Sequence, residues 1–124
     1  MAGRRLLFVL FQGGQCELTH ALLYALDLTE RGHEVALILE GPAIAATVAM
    51  DDGQGRFSQL LRAVRERGLL RGACRTAAGG CASTDPGARV LEGLGARGIP
   101  LLDELDGHAG VGEYVDRGYE LVTF

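Results

Sequence analysis

Lysine and tryptophan are absent from this 124-residue chain, and all 12 of its basic residues are arginine. A Walker-type phosphate loop, a Schiff-base nucleophile and a lysine general base each need a lysine side chain, so the chain supplies none of these chemistries. The formal net charge is −4 and no run of basic residues occurs, so the footprint of a nucleic-acid-binding protein is missing. We therefore expect no nucleic acid among its partners.

Long apolar stretches and paired cysteines are also missing. The apolar run 6–11, which follows two arginines, is shorter than the apolar region of a signal peptide and has no small-residue cleavage site after it. No stretch approaches the roughly 18 apolar residues of a membrane span. The cysteines are odd in number and widely spaced, which makes a poor disulfide framework: Cys16, Cys74 and Cys81. The sequence predicts a cytoplasmic protein with no membrane partner.

The apolar pattern alternates between strand-like runs and helical spacing along the chain. A hydrophobic fraction of 48% and a charged fraction of 23% suit one globular domain over residues 1–124. The pattern predicts strands at 6–11, 34–40, 69–74, 99–102 and 119–124. It predicts helices at 17–31, 43–50, 57–67, 88–96 and 111–117, with residues 75–87 as a loop in which Asp85-Pro86 breaks regular structure.

An Arg-Gly pair closes four of the predicted helices, at 31–32, 67–68, 97–98 and 117–118. The cation suits the negative end of a helix, and glycine adopts the left-handed conformation that ends it. A strand follows every time. We therefore predict an α/β fold of three layers, α/β/α, around a five-stranded, mostly parallel sheet. Functional residues in such a sheet gather after the carboxyl ends of its strands.

The first of these carboxyl-end loops contains Gly13 and Gly14, and Glu40 ends the second strand where a ribose-binding acid would lie. The dinucleotide fingerprint lacks its third glycine, so we expect no cofactor. A glycine loop that opens a helix can still hold a small anion on free backbone N–H groups. Gly13, Gly14 and Glu40 are therefore candidate ligand-binding residues, and a tight turn without a ligand is the alternative.

Cys16 and His20 form the first candidate pair for thiol chemistry. Cys16 falls in the first turn of a predicted helix, where the helix dipole favours a thiolate, and His20 shares its face four residues on. The alternative is that both side chains simply pack. A metal site would need two further ligands from Cys74, Cys81 or His108, and without a close-spaced cysteine pair we expect no metal.

Cys74 is the stronger candidate nucleophile because it ends a predicted strand and opens a loop of small residues, which should leave its sulfur accessible. Arg71 and Arg75 would favour the thiolate if they face it. Against this interpretation, free cysteine is among the most buried residue types and is usually inert. Cys81 is a possible second thiol, and His108, in Gly-His-Ala-Gly, is either a turn residue or a base that binds a ligand.

Seven segments spread in order over nearly the whole chain are similar to one known family. They are 14–16 (GQC), 20–28 (HALLYALDL), 30–35 (ERGHEV), 39–43 (LEGPA), 68–74 (GLLRGAC), 107–110 (GHAG) and 118–124 (GYELVTF). In these segments the chain resembles the DsrE/DsrF-like sulfur-relay family, in particular its small stand-alone cytoplasmic members.

The resemblance implies a three-layer α/β/α domain, assembly as a homo-oligomer, and sulfur carried as a cysteine persulfide between donor and acceptor proteins or small thiols. Cys74 matches the strand-end cysteine that carries sulfur, and Cys16 and His20 match residues of the stand-alone group. Many of that group have a second cysteine where this chain has Ala77. The expected function is a sulfur carrier or sulfurtransferase. An oligomeric binding module for a small anion, or a thiol or metal sensor without catalytic turnover, remains the alternative.

Overall fold

The computed structural model of the protein describes residues 3–79 and 85–124, and the side chains of residues 85–88 lie outside that description. Strands and helices alternate along the described chain. The strands are β1 (Arg5–Leu10), β2 (Glu34–Leu39), β3 (Leu70–Cys74), β4 (Leu101–Leu102) and β5 (Glu120–Thr123). The helices are α1 (Gln15–Glu30), α2 (Pro42–Met50), α3 (Arg56–Glu66), α4 (Arg75–Gly79), α5 (Asp85–Ala96) and α6 (Gly112–Asp116).

The five strands form one sheet in which every neighbouring pair is parallel, in the order β4-β3-β2-β1-β5. This confirms the predicted α/β class and the five-stranded sheet. From β1 to β4 the chain moves towards one edge, so right-handed connections place α1 to α5 on one face. The connection from β4 to β5 returns across the sheet and leaves α6 for the opposite face.

The two faces of the sheet are covered very unequally. The larger core joins one face to the first five helices, with fully buried side chains such as Leu10, Leu37 and Leu94. The opposite face buries a four-residue core, Leu7, Val9, Ala36 and Ile38, beneath α6 and its flanking residues. We call this opposite side of the sheet the thin face.

The glycines of the four Arg-Gly pairs have the left-handed backbone that the sequence predicts. Their φ angles are 95° at Gly32, 71° at Gly68, 67° at Gly98 and 88° at Gly118. A side chain is strained at such angles, whereas glycine adopts them freely. Each pair therefore ends a helix and redirects the chain into the next strand, as predicted.

The prediction of a loop over residues 75–87 is wrong at both ends. α4 begins directly after Cys74, and α5 begins at Asp85, three residues before the predicted start. Two alanines favour helix in α4. Pro86 lies in the first turn of α5, where its missing N–H group costs no hydrogen bond. Cys81 lies outside the described residues.

A β-bulge interrupts the pairing of β2 with β3. Leu37 pairs with Leu70 and Ile38 pairs with Gly72, so Arg71 is an extra residue in β3. Gly72 has a φ of 155°, and a Cβ atom there would lie 2.6 Å from the carbonyl oxygen of Pro100. The bulge therefore requires glycine, and it brings Arg71 beside Tyr114 on the thin face.

The helices of the fold are short compared with the thickness of a bilayer. α1 is 16 residues long and α3 is 11 residues long. Within residues 3–79 and 85–124, no helix is long and apolar enough to cross a membrane.

Candidate functional site

Three residues predicted from the sequence meet at the carboxyl ends of the central strands. Cys74 is the last residue of β3, Glu40 follows β2, and His108 belongs to the segment after β4. The Cys74 Sγ lies 3.6 Å from Nδ1 of His108, and the backbone N–H of Ala109 donates to the same sulfur over 3.5 Å. The Glu40 carboxylate acts on the same thiol. Cys74, His108 and Glu40 therefore lie together at the edge of the sheet where the sequence predicts functional residues.

Residues 103–110, which we call the cover segment, hold His108 in this place. Leu105 and His108 exchange two backbone hydrogen bonds, of 2.9 and 2.8 Å, around a two-residue turn. The turn residues both have positive φ angles, 50° at Asp106 and 89° at Gly107. These angles define a type I′ turn, for which Asp-Gly is a favoured pair. The cover segment is thus a small hairpin with a defined conformation.

The first turn of α4 fastens the cover segment over the sulfur. The carbonyl oxygen of Gly107 accepts hydrogen bonds from the Thr76 backbone N–H over 3.0 Å and from its hydroxyl over 2.6 Å. Arg75 forms an ion pair with Asp103, with 3.2 Å between Nη1 and Oδ2. Because Arg75 and Thr76 directly follow Cys74, the chain that carries the sulfur also holds its cover.

The expectation of an accessible Cys74 thiolate is wrong. The residue is 0% exposed. Burial raises the pKa of the Cys74 thiol, and the Glu40 carboxylate raises it further, against the smaller effect of N–H groups from Ala77 and Ala109. Arg75 pairs with Asp103 and gives the sulfur no positive partner. Cys74 is therefore a neutral thiol while the cover segment is closed.

The second predicted pair, Cys16 and His20, is formed on the first turns of α1. Both residues are exposed, and the Cys16 Sγ lies 3.5 Å from Nδ1 of His20. The same Nδ1 lies 2.8 Å from the carbonyl oxygen of Cys16, which fits a hydrogen bond donated by Nδ1–H. A nitrogen that donates its proton in this way cannot also accept the thiol proton. His20 thus contacts the Cys16 sulfur without acting as its base.

The glycine loop before α1 lies beside a carboxylate of the helix that it opens. Gly14 is the N-cap residue of α1, and the Glu17 carboxylate lies so close that a Cβ atom on Gly14 would meet it. Gly13 packs beside Pro42, at the start of α2. The Glu17 carboxylate, in the first turn of α1, suits the positive end of the helix and would compete with an anion there.

The two cysteine–histidine pairs remain separate sites. Across the described part of the chain, no group of three or more His, Cys, Asp or Glu side chains is placed to hold a metal ion. The sensor alternative that joins Cys16, His20 and Cys74 in one site is therefore not formed by the described residues.

Sequence reasoning missed the residues that cover the sulfur. The sequence predicts Thr76 in a loop. Ala109 contacts the sulfur through its backbone N–H, which no side chain in the sequence reveals. The Asp106-Gly107 dipeptide was the available signal, because this pair is typical of two-residue hairpins. The dipeptide indicates a hairpin only where a strand leads into it, and β4, the strand before it, has only two residues.

Comparison with known proteins adds no relative to this description. The chain matches no protein-family model, no curated protein and no solved structure. The likeness to the DsrE/DsrF-like family therefore stays a prediction, and the geometry around Cys74 is the basis for assigning a function.

Proposed function

We propose that the protein carries sulfane sulfur as a persulfide on Cys74, with His108 as the base. The observation that carries this proposal is the contact of 3.6 Å between the Cys74 Sγ and Nδ1 of His108. Cys74 is a nucleophile once deprotonated, and imidazole is the side chain best suited to exchange a proton near neutral pH. Nothing else among the described residues places a thiol, a base and a backbone donor together at the sheet's carboxyl edge.

The reaction needs no oxidant because the donor already holds sulfane sulfur. The Cys74 thiol gives its proton to His108, and the thiolate attacks the outer sulfur of a donor persulfide. A new bond forms between Cys74 and that sulfur, the donor's sulfur–sulfur bond breaks, and the donor leaves as a thiolate that regains a proton. An acceptor thiolate then attacks the outer sulfur and takes it away, which returns Cys74 to its starting state.

Burial of Cys74 gives the cover segment a part in this cycle. Exchange requires an incoming thiol to reach the sulfur in line, which the closed segment prevents. The segment must open for loading and for release, and in between it shields the persulfide from other thiols. Gly107 and Asp103, which fasten the segment, are the residues whose contacts break on opening.

The same proposal includes the setting in which the protein works. Carrier chemistry at Cys74 requires a reduced thiol, which suits the cytoplasm. Donor and acceptor proteins or small thiols are the partners, and assembly into a homo-oligomer remains part of the proposal from the family resemblance. Turnover as a sulfurtransferase requires that the same protein both takes sulfur from the donor and passes it to the acceptor.

Mass spectrometry of the protein after incubation with a small-molecule persulfide tests the proposal. We expect one added sulfur atom on Cys74 in the wild type and in Cys16→Ser, and no such adduct in Cys74→Ser. His108→Gln should load sulfur more slowly, while His20→Gln, the matched control, should load at the wild-type rate. An unmodified Cys74 in protein whose Cys74 still alkylates would contradict the proposal.

Cys16 is the second candidate carrier because it is exposed. If Cys16 carries the sulfur, the adduct is lost in Cys16→Ser and kept in Cys74→Ser. The two carriers are thus separated by the same pair of variants.

A further inference from the structure

A small cavity lies on the thin face, beside the bulge in β3. Its volume is about 100 Å³, and polar side chains dominate its lining. The lining residues are Arg71, Glu104, Glu113, Tyr114, Arg117 and Tyr119. Neither Cys74 nor His108 lines it, so this cavity is distinct from the sulfur site.

Two opposite charges in this cavity have no partner of opposite sign. Arg117 pairs with Glu113, with 2.7 Å between Nη2 and Oε1. Neither Arg71 nor Glu104 is within ion-pair distance of an opposite charge in the described residues, and they do not pair with each other. The cavity therefore presents one free guanidinium and one free carboxylate with space between them.

The backbone around both charges is fixed by other contacts. The β-bulge makes Arg71 an extra residue, and the glycine after it is required by the close approach of Pro100. One carboxylate oxygen of Glu104 accepts the backbone N–H of Gly110 over 2.9 Å. The other oxygen is left for a ligand, so the Glu104 carboxylate is held in place without being neutralised, and the bulge fixes the backbone from which the Arg71 side chain extends.

Tyr114 adds a hydrogen-bond donor to the lining of this cavity. Burial raises the pKa of Tyr114, although the positive charge of Arg71 acts in the opposite direction. The phenol therefore stays protonated at neutral pH and can donate to an oxyanion beside the guanidinium. The ring is held edge-on against Tyr119, with 5.3 Å between the ring centroids.

We propose that this cavity binds a small α-amino acid as its zwitterion. The carboxylate of the ligand would pair with Arg71 and accept the Tyr114 hydroxyl, and its ammonium group would pair with Glu104. The volume of about 100 Å³ suits an amino acid with a short side chain. The proposal does not depend on sulfur chemistry at Cys74.

Isothermal titration of the wild type with alanine and two singly charged analogues tests this assignment. Alanine amide keeps the ammonium group, and N-acetylalanine keeps the carboxylate. We expect alanine to bind, and each analogue to bind at least about tenfold more weakly because one charge-assisted contact is lost.

Two variants and one control complete the experiment. Arg71→Gln and Glu104→Gln should each weaken alanine binding at least about tenfold. Glu104→Gln keeps an oxygen that accepts the Gly110 N–H, so the backbone there is preserved. Arg62→Gln removes an exposed arginine from α3, away from the cavity, and should bind alanine as the wild type does.

Two results would overturn the proposal. Equal binding of alanine and N-acetylalanine, with no effect of Glu104→Gln, would make the cavity a simple anion site. Absence of alanine binding in the millimolar range by folded wild-type protein would remove the site altogether. Circular dichroism of each variant shows that it is folded.

Discussion

Within residues 3–79 and 85–124 the protein forms two cysteine–histidine pairs whose sulfur–nitrogen distances are nearly equal and whose exposure to solvent is opposite. Sulfur and Nδ1 are 3.5 Å apart in Cys16–His20 and 3.6 Å apart in Cys74–His108. Cys16 is exposed on α1, whereas Cys74 is fully buried beneath the cover segment. We therefore expect the reactivity of each cysteine to depend on its access to solvent and on the other hydrogen bonds of the histidine, and not on the contact between thiol and imidazole alone.

The difference between the pairs begins with how each is built. Cys16 and His20 are four residues apart on one helix, so helical periodicity alone brings them together. Cys74 and His108 are separated by 34 residues and meet through β3, the type I′ turn and the first turn of α4. A site built from distant segments can open and close, whereas a pair on one helix turn stays exposed.

The largest expected effect is a difference in alkylation rate between the two cysteines. Cys16 should react with iodoacetamide at least about a thousandfold faster than Cys74, because Cys74 reacts only when the cover segment opens. A local opening of about 4 kcal/mol gives this ratio. A time course of peptide masses at neutral pH measures both rates in one sample.

The pH dependence of the same experiment has a definite sign. Because burial and Glu40 raise the pKa of Cys74, its thiolate fraction in the folded protein should grow at a higher pH than for a free thiol. The alkylation profile of Cys74 should be shifted upwards relative to that of the denatured protein. Equal rates for the two cysteines, or an unshifted profile, would show that Cys74 is accessible in the folded state.

The next largest effect should follow from Gly107→Ala. Alanine at a φ of 89° costs about 1–2 kcal/mol, and its Cβ would lie 3.0 Å from the Thr76 hydroxyl. We expect Cys74 to alkylate about five- to thirtyfold faster, since this cost falls on the closed cover segment. Cys16 should be unaffected.

Gly32→Ala is the matched control for this variant. Gly32 has a φ of 95°, and nothing lies within 4 Å of the place its Cβ would take. It should cost a similar backbone strain at the end of α1 without speeding the alkylation of Cys74. A similar acceleration in both variants would trace the exposure of Cys74 to general loss of stability.

Features that depend on local sequence can be predicted here, whereas features that depend on contacts between distant segments cannot. The four Arg-Gly pairs and the apolar pattern predict the α/β fold because they report local structure. The Cys16–His20 contact follows from helical spacing. Burial of Cys74 could not be predicted, since it depends on Gly107 and Thr76 meeting across the chain. Arg71 lies beside Tyr114 on the thin face because of the bulge in β3. The alternation of side chains along a strand does not predict such a bulge.

A smaller effect is expected when one hydrogen bond of the cover segment is removed. Thr76→Val deletes the hydroxyl that donates to the Gly107 carbonyl but keeps the backbone N–H that bonds the same oxygen. The loss of about 1 kcal/mol should speed the alkylation of Cys74 about fivefold.

Thr29→Val provides the matched control for the hydroxyl. The Thr29 hydroxyl donates to the carbonyl oxygen of Ala25 within α1, so its removal deletes a similar bond far from Cys74. We expect it to leave the Cys74 rate unchanged. If Thr76→Val also leaves the rate unchanged, the cover segment does not open by releasing Gly107.

The smallest expected effect on Cys74 is that of a variant that weakens the whole fold. Asp51 forms an ion pair with Arg97, with 2.6 Å between Oδ2 and Nε, and the two side chains are 15% and 22% exposed. Burial alone would raise the pKa of Asp51, but hydrogen bonds from Ser58 and Arg97 outweigh it and hold the pKa below its usual value. The stability that Asp51 contributes is therefore present above about pH 4 and is lost as the pH falls through the lowered value.

Asp51→Asn separates local opening from global unfolding. At neutral pH it should lower the free energy of unfolding by about 2 kcal/mol, measured by urea denaturation, because Arg97 loses its charged partner. The stability of the variant should also fall less steeply below about pH 4 than that of the wild type.

Opening of the cover segment breaks no contact of Asp51, so the alkylation rate of Cys74 in Asp51→Asn should stay at the wild-type value. An acceleration of about thirtyfold, equal to the change in the unfolding constant, would mean that Cys74 is reached only when the protein unfolds. The cover segment would then be a fixed part of the core, and the proposed sulfur transfer at Cys74 would have no route.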